Sequence, residues 1–294
     1  MSTAVTVLDQ LTIVAPFGVR FWDVAVGSPA DAGLNVIAYP NAAPELRSTA
    51  FANHVGVYSF LRLPGLHGAE SGSGDDSFWA ANPPAIPFTI EVSDPSERYL
   101  PFRFSVKMPA RGLYGVSASP LLAVAVPGDT WLPIFSSPQR TLPGPAATIY
   151  AQLQDDGPKT VAAWAMVEAH FKGMPAVFGV ADDRGMVTLS APYPEPVSTL
   201  FPSPMGTGSV KLTDQSWPVD ISVFYTPRIH PQVPPDLQQT LQQTMATAWR
   251  DTNHSAAAGG FTVSYGKNLV LRSVDSVSGR SLPVLLITTA GSPV

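Results

Sequence analysis

The chain has 294 residues, no cysteine, a 45% hydrophobic and 13% charged composition, and a formal net charge of −5. Lacking cysteine, it has no disulfide framework, thiolate metal site or cysteine nucleophile, and an acidic balance without a Lys or Arg cluster leaves no electrostatic footprint for nucleic acid. The length exceeds the usual ~100–200 residues of one domain, and 31 Pro with 23 Gly beside that hydrophobic fraction predict a mainly β chain whose short strands are joined by Pro- and Gly-rich turns.

At the N-terminus, MSTAVTVLDQLTIVAPF has neither the basic region nor the long apolar core of a signal peptide. No segment approaches the roughly 18 consecutive apolar residues of a membrane span, so a cytoplasmic protein without direct membrane insertion is expected. A first β-sandwich is expected over 1–120. Val19 to Val26 opens it as a strand and Gly27-Ser28-Pro29 turns it. Leu34 to Tyr39 and Ala52 to Phe60 form the next strands, closed by Leu63-Pro64-Gly65. Gly68 to Asp76 is rich in Gly and Ser and reads as a surface loop; its Asp75 and Asp76 lack the alternating oxygen donors of a calcium loop. Phe88 to Ser93 and Tyr99 to Val106 alternate apolar and polar residues at period two, the mark of a half-buried antiparallel pair.

A linker is expected over 121–146. Within it Leu121 to Val126 reads as a short buried strand, and Trp131 to Pro138 as extended chain in which Pro133 and Pro138 exclude a helix. A second sandwich is expected over 147–228, from the alternating strand Ala147 to Leu153 to Trp217–Tyr225. Inside it, Ala162 to Pro196 restates the earlier hairpin. Aligned on Gly56 and Gly185, both copies read Ala, then Asn53 or Asp182, two free residues, Gly, and alternating apolar positions. The Asn or Asp side chain caps the turn, and the Gly takes the positive φ that other residues avoid.

A small C-terminal α+β region is expected over 229–294. Asp236 is placed as an N-cap for a helix from Leu237 to Arg250, with Leu237, Leu241, Met245 and Trp249 four apart. That stripe either docks on the chain's own sheet or packs on a neighbouring subunit. Leu282 to Thr288, with Leu282, Val284 and Leu286 on one face, is either a central strand or one that pairs with another chain. These seven apolar residues are the candidates for contacts between chains. Removing Leu282 to Val294 is expected to leave both sandwiches folded.

No catalytic, cofactor or metal constellation emerges. His54, His67, His170, His230 and His254 are scattered, without metal-ligand spacing. Glu168 and His170 share a strand face, as surface pairs do. No nucleophile elbow, phosphate loop or dinucleotide fingerprint occurs.

The strand order through Pro29 to Gly33, Ala52 to Tyr58, Leu63-Pro64-Gly65 and Phe88 to Ser93 resembles the transthyretin-like or carboxypeptidase-regulatory-like β-sandwich. In most settings that module is a non-catalytic spacer or docking domain. Over most of Arg20 to Tyr225 the ordered set resembles a structural protein of contractile injection systems, which are phage-tail-like particles. The segments carrying it are Pro87 to Phe104, Leu132 to Pro143, Ala162 to Glu168 and Ala181 to Pro196. The resemblance implies a structural adaptor at the cap or another end of the tube–sheath assembly, with the baseplate as the competing position. Its partners would be copies of itself in a ring and sheath, tube or cap proteins. A carbohydrate- or surface-binding module using exposed members of the six Trp residues is the reading from a different class; coplanar exposed rings would favour it.

Overall fold

A computed structural model describes residues 14–30, 32–72, 74–115, 126–142, 144–195, 212–227 and 233–289. It is mainly β, 42% strand and 7% helix. The expected strand at Leu121 to Val126 falls, except for Val126, outside the described residues, as does His230. The first half contains β1 (Gly18–Val19), β2 (Phe21–Asp23), β3 (Ser28–Pro29), β4 (Asn35–Pro40), β5 (Ser48–Thr49), β6 (Phe51–Ala52) and β7 (Tyr58–Ser59). Two short helices follow, α1 (His67–Gly72) and α2 (Asp76–Ala80), then β8 (Ile86–Ser93), β9 (Phe102–Met108), β10 (Leu113–Tyr114) and β11 (Leu132–Ile134). The second half contains β12 (Ala146–Asp155), β13 (Thr160–Val161), β14 (Met166–Phe171), β15 (Val177–Val180), β16 (Met186–Pro192) and β17 (Ser216–Phe224). After α3 (Leu237–Leu241) come β18 (Met245–Trp249), β19 (Phe261–Ser264), β20 (Leu269–Leu271) and β21 (Leu285–Thr289).

The alternation in sequence becomes alternation in burial. On β9, Phe102, Phe104, Val106 and Met108 are buried while Ser105 and Lys107 face solvent. On β12, Ala147, Ile149, Ala151 and Leu153 point inward. Each fully buried large side chain contributes about 2–3 kcal/mol of transfer free energy, so these inward rows hold the layers together.

The two halves repeat one topology. β2 pairs β3 through Trp22–Pro29 and Asp23–Ser28, and the start of the second half repeats this as Gln154–Val161 and Asp155–Thr160. β1 is antiparallel to β7 and parallel to β10; β12 is antiparallel to β16 and parallel to β20. The last strand of each half, β11 or β21, returns parallel to the first, beside β2 or β12. On the other layer β4 pairs β5 and β8, and β14 pairs β15 and β17. The halves differ where the unbroken β9 of the first becomes β18 and β19 of the second, both on β17, with 250–260 between them.

Four expectations need correction. Gly68 to Asp76 is not an open loop: Asp75 caps α2 by accepting from the Ser77 N–H at 2.9 Å, and α1 is tied by Val14 N–H to the Glu70 carbonyl. The linker 121–146 contains β11, a buried strand of the first sandwich. Pro133 fits there because the ladder uses the Leu132 N–H and the Ile134 carbonyl. The region 229–294 is no separate unit, since β18 to β21 complete the second sandwich. Last, the helix expected to reach Arg250 stops at Leu241. Buried Gln243 ends it, donating to the Trp164 and Thr240 carbonyls and accepting from Thr226 N–H. The following Met-Ala-Thr-Ala-Trp then obeys period two, with Ala246 buried and Met245 exposed.

One apolar cluster crosses the seam between the halves. It joins Phe102, Ile134 and Phe135 of the first to Trp164, Met166, Phe178, Val180 and Phe224 of the second, together with Leu237 and Leu241.

Candidate functional site

The repeated turns have matching hydrogen bonds. In the first copy Asn53 Oδ1 accepts from the Val55 and Val57 N–H groups at 3.0 and 2.9 Å. In the second, Asp182 Oδ1 accepts from Arg184 and Met186 at 2.9 and 2.8 Å. Each turn is closed by a bond from the Gly N–H to the Asn or Asp carbonyl at 3.1 Å. Gly56 and Gly185 have φ of 76° and 73°. A Cβ on Gly185 would lie 2.6 Å from the Leu153 carbonyl oxygen.

The seven candidate contact residues are not equally available. Leu237, Leu241 and Leu286 are buried within their own chain, Trp249, Leu282 and Val284 are half-buried, and Met245 is 63% exposed. β21 is a central strand, parallel to β12 and antiparallel to β18, and this decides between the two readings of that segment.

A polar cluster sits in the first sandwich near the seam. Asp23, 2% exposed, accepts from the Tyr99 hydroxyl at 2.9 Å and from Arg140 Nη2 at 2.7 Å, while its Oδ1 caps the Ala25 and Val26 N–H groups. Arg140 also donates to Ser136 Oγ and lies over the Tyr99 ring. Burial, the Asp23 charge and the hydrogen bond to Asp23 push the Tyr99 hydroxyl up to about 12, so it stays a donor at ordinary pH. Nearby, burial would raise the Asp94 carboxyl, but bonds from Arg98 and the Ser96 N–H hold it below its usual range. The position equivalent to Asp23 is Asp155, which has no such cation among the described residues. Neither aspartate stands out by composition. The signal that could have found them is the repeat extended upstream, where an Asp precedes Ala30 and Ala162 by the same interval.

A cleft of about 290 Å³ lies between Val14, Gly18 and Leu113 on the first sandwich and Trp79 of α2. That is the lower end of small-molecule sites, roughly 300–1,000 Å³. Its charged groups, Asp76 and Arg111, pair with each other at the exposed rim, so neither is aimed at a ligand. His170 lies exposed on β14, directly across from Asp220. Among the described residues no cluster of His, Asp and Glu could hold a metal ion, and no helix is long and apolar enough to cross a membrane. The tryptophans are engaged individually: Trp22 meets Trp131 edge-on at 66°, Arg20 covers Trp131, Trp79 meets Phe78 at 90°, and Trp249 stacks on His254.

No known family model matches the chain, and no curated protein matches it. Among solved structures it is weakly similar to the shaft pilin SpaA of Lactobacillus rhamnosus GG, in two mutant forms. One shares 11% identity at a TM-score of 0.22, covering 94% of this chain and 98% of the pilin. The other shares 11% at 0.21, covering 98% and 93%. Similarity at this level carries no functional argument.

Proposed function

We propose that this chain is a non-catalytic structural adaptor of a contractile injection particle, assembled in the cytoplasm at the cap or another end of the tube–sheath body. It associates with copies of itself and with sheath, tube or cap proteins, and uses no cofactor. The observation that carries the reading is the seam. The core of the first sandwich continues across it onto Trp164, Met166, Phe178, Val180 and Phe224 of the second, whose interior is a separate apolar cluster, and a packed seam of this kind would hold the two sandwiches at a fixed separation, as an adaptor between rings requires. The resemblance over Arg20 to Tyr225 supplies the particle.

The test is electron microscopy of particles purified with and without this chain, with the chain tagged. Loss of one end structure, with the tag at that end, supports the adaptor and separates cap from baseplate. Normal particles that never contain the chain would sink it. Met245→Asp then asks whether the exposed first residue of β18 contacts a neighbour: the folded variant should be recovered in particles at a reduced amount.

A further inference from the structure

Asp155 differs from its counterpart in how its charge is met. It is 0% exposed; Oδ1 accepts from the Gly157 N–H at 3.2 Å, and Oδ2 has no hydrogen-bond partner among the described residues. Beside it Asp156, 8% exposed, is bound by Lys159 Nζ and by His254 Nε2 at 2.9 Å. His254 belongs to the 250–260 loop that replaces the middle of the β9-like strand. It stacks on Trp249 with ring centroids 4.6 Å apart, and its backbone sits at φ 55°. The loop is therefore fastened to the Asp155–Lys159 turn through the Asp156–His254 contact.

The elements around the turn bring little charge to it. β21, which covers it through the Asp156 N–H to Ile287 carbonyl bond, has no ionisable side chain, nor do β13 and β18. In the loop, Asp251 is occupied by Asn253, Ser255 and Ser276, and Arg250 is exposed. Lys159 and His254 are both committed to Asp156. An ionised Asp155 would be a buried charge with no cation of its own, next to a second carboxylate.

We propose that the closed structure carries Asp155 as the neutral acid, and that its ionisation opens the Asp155–Lys159 turn and releases the 250–260 loop. The latch is controlled by a proton. Burial pushes the Asp155 carboxyl above the ordinary range against the pull of the Gly157 N–H, and the Asp156 charge adds to the rise. The folded form thus holds the proton more tightly than the unfolded chain. Its contribution to stability is complete below the ordinary carboxylate pKa and is lost as pH rises through the raised one.

The experiment uses the full chain with ¹³C-labelled aspartate. The Asp155 carboxyl carbon and amide exchange of 250–260, corrected for intrinsic exchange rates, are followed from about pH 4 to about pH 9. In the wild type, loop protection should fall by about tenfold across the range in which Asp155 titrates. Asp155→Asn should keep the low-pH protection within about twofold throughout. His254→Gln should loosen the loop at every pH while Asp155 still titrates. The proposal is overturned if Asp155 is ionised while the loop stays closed, if Asp155→Asn opens with the wild-type profile, or if His254→Gln leaves loop protection unchanged.

Discussion

Asp23 and Asp155 occupy the same place in two copies of one topology, at the ends of β2 and β12 and before the same kind of turn. In the first sandwich the buried carboxylate meets Arg140 and Tyr99. In the second it meets neither, and one oxygen has no partner among the described residues. The pairing of strands is nonetheless preserved. Turn chemistry and alternating apolar rows fix the scaffold locally, whereas the treatment of a buried charge depends on what the rest of the chain brings to it. Arg140, which follows β11, serves the first copy; in the second the available Lys and His go to Asp156.

The comparison can be broken most directly at the returning parallel strand. Removing 282–294 takes away β21 and should unfold the second sandwich, contrary to the expectation from sequence that both would survive; loss of its slowly exchanging amides would measure this, and their persistence would show β21 to be dispensable. Next, Asp23→Asn leaves Arg140, its side chain 13% exposed, without its counter-charge and should cost about 3 kcal/mol in denaturant unfolding. Asp155→Asn should move stability the other way once pH exceeds the raised carboxyl value, and equal losses in both variants would end the contrast. Gly185→Ala should cost about 2 kcal/mol, from positive φ and the approach of its Cβ to the Leu153 carbonyl, and Gly56→Ala about 1 kcal/mol from φ alone. A neutral result at either would mean that the turn relaxes. An effect of the same size, about 1 kcal/mol, is expected for Tyr99→Phe, which removes one donor from Asp23; thermal melts of the single and Asp23 double variants would reveal whether the two act together.

The parts legible in the sequence were those decided within a few residues. Asn53 with Gly56, and Asp182 with Gly185, contain their whole turn in five positions, and β8, β9 and β12 announce their inward faces by alternation. The helix over Leu237 to Arg250 misled because Leu237, Leu241, Met245 and Trp249 satisfy a spacing of four while Met245 to Trp249 also satisfies a spacing of two. Gln243, which donates to the Trp164 carbonyl 79 residues away within the same half, settles the conflict, and that contact is not visible locally. β11 looked like linker because Pro133 within it and Pro138 beyond it argue against helix without arguing for a strand; its partner β2 lies at the far end of the first sandwich sequence. Of the seven apolar residues proposed for contacts between chains, Leu237, Leu241 and Leu286 join the chain's own core, since hydrophobicity alone does not say whose core a side chain will join.

The parallel return of β11 beside β2, and of β21 beside β12, also sets how the chain bears load. Tension applied to a half through its first and last strands runs along two neighbours pointing the same way. The hydrogen bonds between them are then sheared together instead of being peeled one after another, and the force needed to separate them rises with the number sharing the load. The two-residue strands β3 and β13 lie on the other side of β2 and β12 from that clamp, so they can peel away without disturbing it.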